Sequence, residues 1–202
     1  MPAPPLGARR CAYNRAMARP RTFDSDQAVD AAMQALWHGG LGTTSVDALQ
    51  SAIGIGRSSL YNAFGSKSEL VRLAIDSYTE RTLAALESAF ADRSLQQTVE
   101  QLLLDAATTN NDGHGCLLLN GLVELHDSDA QTLDAVRDGL RAIAQLLVRK
   151  AVASGAVVRD PAAFAAKFIA AIAGARTLQR AALPDGLAQQ VAREFAALVV
   201  AS

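Results

Sequence analysis

With 202 residues, half of them hydrophobic and 19% charged, the chain has the length of one large helical domain or two small ones. Aromatic content is only 5% and alanine is abundant, which favours helix over sheet. The formal net charge is −1, so bulk charge does not announce a nucleic-acid binder, and no charge-free apolar run of about 18 residues predicts a membrane span. The charge is unevenly placed, however. Residues 1–73 carry 8 Lys/Arg against 5 Asp/Glu, a net of +3, and residues 74–202 carry 11 against 15, a net of −4. A mildly basic end joined to an acidic body fits one part that faces DNA and another that does something else. The two cysteines, Cys11 and Cys116, make neither a disulfide framework nor a CxxC pair. No secretory signal is evident, so a reduced, cytoplasmic chain is expected.

Residues 1–18 are Pro-rich, basic and without period, and read as a disordered tail. A first helix starts at Asp24, with Gln27 at the capping-box position and Phe23 placed to pack back on the first turn. Val29, Met33 and Leu36 form its apolar face, Trp37 is a core or domain-contact residue, and Gly39-Gly40 stops it.

Residues 44–70, TSVDALQSAIGIGRSSLYNAFGSKSEL, read as two short helices with a tight turn between them and the start of a third. Thr44 is the expected cap of the first, with Asp47 three residues on. Val46, Leu49 and Ile53 recur at helical spacing, and Gly54 permits the left-handed exit of a turn. In the second helix Leu60 faces inward, which leaves Arg57, Ser58, Ser59, Tyr61 and Asn62 free to face outward. Ser66 and Glu69 make a capping box for the next helix, whose inward candidates run from Leu70 to Phe90.

The run GIGRSSLYNAFGSKSEL, residues 54–70, resembles the signature of TetR/AcrR-type transcriptional regulators, as do Thr44 to Asp47 upstream, and the likeness extends over about residues 19–78. Two positions depart from the family pattern: Gln50 stands where alanine is usual, and Gly56 where a Ser or Asn caps the recognition helix. The resemblance implies an all-α fold. An N-terminal three-helix helix-turn-helix domain (residues 19–70) is joined to a C-terminal helical bundle (residues 71–202) for ligand binding and dimerisation. It further implies that Arg19 and Arg21 form an arm able to lie in a minor groove. Thr44, Tyr61 and Lys67 become the phosphate set, with Ser45 at the same helix N-terminus. Arg57, Ser58 and Asn62 are the candidates for base contacts, next to the outward Ser59. Partners are then a palindromic double-stranded DNA operator, a small-molecule inducer and a second copy of the chain.

Beyond Tyr78 the sequence alternates helical stripes and breaks, giving about nine helices in all and no convincing strand. Ser94 and Gln97 open a helix that dissolves in the polar residues 108–115. Cys116 to His126, CLLLNGLVELH, is apolar except for Asn120 and Glu124 and is expected to be nearly central. Asn120 and Glu124 then line a ligand pocket or pair with their neighbours. Ser128 caps a long helix ending near Ala153, Asp160-Pro161 starts another, and the residues after Pro184-Asp185-Gly186 form the last. The resemblance places the dimer face on the last two helices, here Phe164, Phe168, Ile172 and Leu178 with Phe195, Leu198 and Val199. The same side chains also read as intramolecular core.

No phosphate-loop, dinucleotide, zinc-protease or serine-hydrolase motif is present, and His38, His114 and His126 have no metal-ligand spacing with the cysteines. The expectation is a binding protein without cofactor or metal, not an enzyme. A repressor is the first reading. An activator on the same fold, or a helical partner-binding protein that has lost DNA recognition, are the alternatives. Cys116 stands at a helix N-terminus after a glycine-containing loop, where the dipole favours a thiolate. It reads as a sensor of oxidants or electrophiles or as a small buried hydrophobe.

Overall fold

The computed structural model describes residues 23–108, 114–125, 130–155, 158–181 and 186–200. Among these are nine helices and no strand: α1 (Ser25–Gly39), α2 (Val46–Ile53), α3 (Arg57–Phe64), α4 (Lys67–Ala89), α5 (Leu95–Thr108), α6 (Leu117–Glu124), α7 (Ala130–Ala153), α8 (Pro161–Arg180) and α9 (Leu187–Val200). The tail, the arginine arm, Cys11, His126, Ser128 and Pro184-Asp185 lie outside the described residues.

Most helix starts follow from side-chain caps. Asp24 accepts from the amides of Asp26 and Gln27 at 2.8 and 3.3 Å, which relieves two donors that the helix itself cannot satisfy. The Phe23 ring lies 6.2 Å from that of Phe64, so the residue before the cap also ties α1 to α3. Ser66 Oγ accepts from the Glu69 amide at 3.0 Å and starts α4. Ser94 and Gln97 bond reciprocally, and Asp160 caps α8 ahead of Pro161. At α2 the start differs from expectation by one residue. Ser45, not Thr44, is the cap, accepting from the Ala48 amide at 3.1 Å. Thr44 is turned inward, 5% exposed, and its hydroxyl donates to the Gly40 carbonyl at 2.6 Å. The inward turn buries the threonine methyl while its hydroxyl keeps a partner, which the exposed cap position cannot do.

Helix α4 runs unbroken for 23 residues past position 70 and packs on both α1 and α7. Leu70, Ala74, Ile75 and Tyr78 are buried along it. The body closes as a bundle in which α7 packs on α4, α6 and α8, while α5 packs on α8 and α9. By length and composition alone α8 is apolar enough to cross a membrane, but its Phe164, Ala165, Phe168, Ala171 and Ala175 are buried in this bundle.

Helix α6 is shorter and less central than its sequence suggests. It spans eight residues, with Cys116 as its cap residue, and buries only Leu117, Leu118 and Gly121. Val123 is 75% and Leu122 is 41% exposed. The apolar composition therefore overstates the burial: one side of the helix has no neighbour among the described residues.

Candidate nucleic-acid interface and internal cavity

The α2–α3 corner is built on glycine. Gly54 closes α2 at φ 76°, ψ 26°, a conformation that costs a side-chain-bearing residue strain, and donates its amide to the Gln50 carbonyl at 2.8 Å. Leu49 and Leu60 are fully buried on either side of the corner and Ile55 is half-buried in the turn. Gln50, larger than the usual alanine, folds its amide back onto its own helix, at 3.4 Å from the Val46 carbonyl and 3.1 Å from the Asp47 carboxylate. The departure is thus absorbed within α2. Gly56 leaves the start of α3 without any side-chain cap.

Helix α3 buries Leu60 and Phe64, one turn apart, and so turns Arg57, Ser58, Ser59, Tyr61 and Asn62 to solvent. Arg57 lies over this face, its guanidinium 5.8 Å from the Tyr61 ring centroid and 3.7 Å from the Asp47 carboxylate. Both partners of that ion pair are mostly exposed, so it is weak and easily exchanged for a phosphate or base edge. Ser45 is exposed, and Lys67 is half-buried at the first position of α4. Thr44 does not share this surface: its hydroxyl and its amide both point into the α1–α2 loop, bonded to Gly40.

That loop is where the helix-turn-helix meets the body. Leu41, 3% exposed, lies against Gly121 of α6, where an added Cβ would stand 2.6 Å from the leucine Cδ1 and 3.0 Å from Val136 Cγ2. The Leu41 amide donates to the Glu124 carboxylate at 2.7 Å. The Trp37 indole donates to the Gly115 carbonyl at 3.1 Å, and the His38 and His114 rings are 4.3 Å apart. Trp37 is therefore a contact residue between the two parts of the chain. Asn120 donates to the His114 carbonyl at 2.5 Å and holds the loop entering α6. Both Asn120 and Glu124 pair with backbone, one of the two alternatives that their sequence left open.

A cavity of about 220 Å³ lies in the body, walled by Tyr78, Leu102, Cys116, Ile143, Phe168 and Arg176 among others. Cys116 is a half-buried free thiol on this wall, beside the Tyr78 phenol. Burial pushes the Tyr78 phenol above its ordinary pKa, the Cys116 thiol adds to this, and the positive charge of Arg176 opposes it. Tyr78 also stands edge-on to Trp37, with centroids 5.4 Å apart, so one phenol touches both the cavity and the tryptophan that holds the α6 loop. Leu41, Gly121, Tyr78 and Arg176 escaped the sequence reading. For Arg176 a signal existed, a cation that ends the uncharged run of residues 168–175 in an apolar helix.

Two of the expected dimer residues, Phe164 and Phe168, lie in the bundle interior, the alternative that their sequence left open. Phe164 and Phe168 are 0% and 3% exposed within the single chain and stack on each other, while Ile172 lines the cavity. A side chain already enclosed by its own bundle has no area left to offer a second copy. The side chains of Phe195, Leu198 and Val199 lie outside the described residues.

Residues 28–74 match the family model described as bacterial regulatory proteins, tetR family. The chain is 32% identical over 114 residues to the HTH-type transcriptional repressor ComR of Escherichia coli, a match spanning 53% of each chain. It is 31% identical over 125 residues to the repressor BdcR of the same organism, covering 60% of this chain and 62% of that one. The match thus spans between half and two thirds of these curated relatives. Among solved structures, the TetR family regulator CifR, a cysteine mutant complexed with 26 bp double-strand operator DNA, superimposes with a TM-score of 0.74 at 24% identity, covering 91% of this chain and 99% of that one. The reduced form of Escherichia coli NemR superimposes with a TM-score of 0.68 at 13% identity, covering 86% and 93%. With the helix-turn-helix built on Gly54 and this agreement in sequence, residues 28–74 are a helix-turn-helix region of the tetR family of bacterial regulatory proteins, and the described chain shares the fold of its solved members.

Proposed function

We propose that the chain is a cytoplasmic DNA-binding transcriptional regulator, a repressor released from a palindromic operator when its body binds a small molecule or is modified at Cys116. The observation that carries this reading is the outer face of α3, where five polar or charged side chains stand exposed beside an uncapped helix N-terminus. Arg57, Ser58 and Asn62 serve base edges, with Ser45, Ser59, Tyr61 and Lys67 on the backbone. Support also comes from the repressors ComR and BdcR and from CifR on operator DNA. The test is a gel-shift titration on the DNA upstream of the gene across a salt series. Lys67→Ala is expected to weaken binding to all sequences and to lower the salt slope by about one, because one fewer counterion is released. Unchanged binding and slope would count against the assignment.

A homodimer completes the operator logic, since one recognition helix covers only a few base pairs. Its face is assigned to the outward side of α8, where the small residues Ala162, Ala166, Ala170 and Gly174 are exposed at one-turn spacing. Sedimentation should show a dimer at micromolar concentration, and Gly174→Glu should shift it to monomer.

Release by thiol chemistry has a specific observation behind it: Cys116 is both the cap residue of α6 and part of the cavity wall. An adduct there occupies the cavity and presses on the Tyr78–Trp37 contact. Mild oxidant or electrophile should release operator from the wild type and not from Cys116→Ser. Equal responses would return Cys116 to a plain wall residue.

A further inference from the structure

We infer that the cavity takes a small organic carboxylate with an apolar body, and that Arg176 is its charge partner. The inference rests on reading the body as a ligand-responsive domain and adds the chemistry of the ligand. Arg176 is half-buried on α8 and faces the cavity, yet it takes part in none of the ion pairs among the described residues. A guanidinium drawn partly out of water without a carboxylate is uncompensated, and its planar fork matches a carboxylate bidentately.

The carboxylate on the wall, Asp105, forms no ion pair with it. Asp105 is exposed and accepts from the Gln101 amide at 2.8 Å. An amine ligand would have to rely on that solvated group, where a charge pair gains little. The remaining wall is mostly apolar, including Leu86, Ile143, Phe168 and Ile172, with the Tyr78 phenol as a further hydrogen-bonding group. Size narrows the class. An apolar protein cavity of about 150 Å³ holds benzene, so one of about 220 Å³ holds roughly nine non-hydrogen atoms. A single ring bearing one carboxylate has that size.

The test is calorimetric titration of the full chain with benzoate, phenylacetate and 3-phenylpropanoate, each beside its primary amide, and with benzylamine. At least one acid is expected to bind about tenfold or more tighter than its amide, as a charge-assisted contact requires. Arg176→Gln should erase that preference, and Arg176→Lys should keep part of it, since the charge remains without the fork. The lysine variant also carries the test should the glutamine variant fail to fold. Amides or benzylamine binding as well as the acids would overturn the inference, as would acids binding Arg176→Gln with wild-type affinity. No acid binding at about 1 mM would overturn it too. Ligand-free gel shifts run in parallel separate the two readings. Intact operator binding with a cavity blind to acids sinks only the carboxylate, whereas absent operator binding sinks the regulator reading and leaves the calorimetry standing.

Discussion

Helices α3 and α6 are each eight residues long, and the chain uses them in opposite ways. Helix α3 is mostly polar, buries Leu60 and Phe64, and turns its polar side chains outward. Helix α6 is far more apolar, yet it leaves Leu122 and Val123 exposed and works through close backbone approaches. Gly121 admits Leu41, Gly115 receives the Trp37 indole, and Glu124 receives the Leu41 amide. The first helix is defined by what it leaves free, the second by what it holds. A short helix packed along one narrow stripe can only be assigned a role once its neighbours are known.

The contrast breaks most sharply at Leu41. Leu41→Ala removes a buried side chain between the α1–α2 loop and α6 and should cost about 2–5 kcal/mol of stability. A thermal or urea melt measures this. The loss should exceed that of Val123→Ala, which lies 75% exposed on the same helix and should change stability by no more than about 0.5 kcal/mol. Similar losses at both positions would mean that α6 is held by its general apolarity and not by this contact.

The next effect is polar. Glu124→Ala leaves the Leu41 amide, part-buried at 2.7 Å from the lost carboxylate, without its acceptor. The expected cost is about 1–3 kcal/mol, and Glu124→Gln, which keeps an acceptor oxygen, should recover much of it. Because the bond joins the loop of the helix-turn-helix to α6, the alanine variant should also show a weaker link between ligand addition and operator release. A melt beside a gel shift with and without ligand reads both. Full stability in the alanine variant would remove Glu124 from the contact.

These contacts show why one half of the molecule was legible in the sequence and the other was not. The helix-turn-helix is encoded locally: a cap at Ser45, a left-handed glycine at Gly54 and apolar residues Leu49 and Leu60 at fixed spacing carry their meaning within about 20 residues. Even there the cap fell one residue late, since Thr44 and Ser45 are both able caps and only the burial of Thr44 against Gly40 decides between them. The body is encoded at long range. Leu41 and Glu124 are 83 positions apart, and Trp37 and Gly115 are 78 apart. No periodicity reports such a pairing. Composition misled in the same way at Phe164 and Phe168, whose apolar faces suit a dimer contact and a bundle interior equally well until α5, α7 and α9 are seen around α8.

On the α3 side of the comparison the effects should leave stability alone and change recognition. Arg57→Ala removes only an exposed ion pair and a cation–π contact, so the melt should move by no more than about 0.5 kcal/mol. If Arg57 reads a base edge, the same change should lose about 1–3 kcal/mol of discrimination at one operator position and little elsewhere. An operator library screened with both proteins separates this from a phosphate contact, which would weaken all sequences alike.

The smallest expected effect is also the most discriminating, because stability and binding should move in opposite directions. Gly56 caps α3 without a side chain, so the first amides of that helix have no partner from the cap residue. Gly56→Ser supplies a hydroxyl that can accept from the amide of the second or third helical residue, and nothing stands within 4 Å of the new Cβ. The backbone at Gly56 is extended, with φ −72° and ψ 160°, which serine adopts without strain. The gain over glycine is a few tenths of a kcal/mol, about the limit of a careful urea titration. If those amides face solvent and nothing else, operator binding should follow stability upward or stay level. If they meet a phosphate, the serine hydroxyl competes for the same donors, and affinity should fall while the melt rises. Opposite signs would assign the bare N-terminus of α3 to the DNA backbone; a shared sign would leave glycine there as a cap that evolution has not improved.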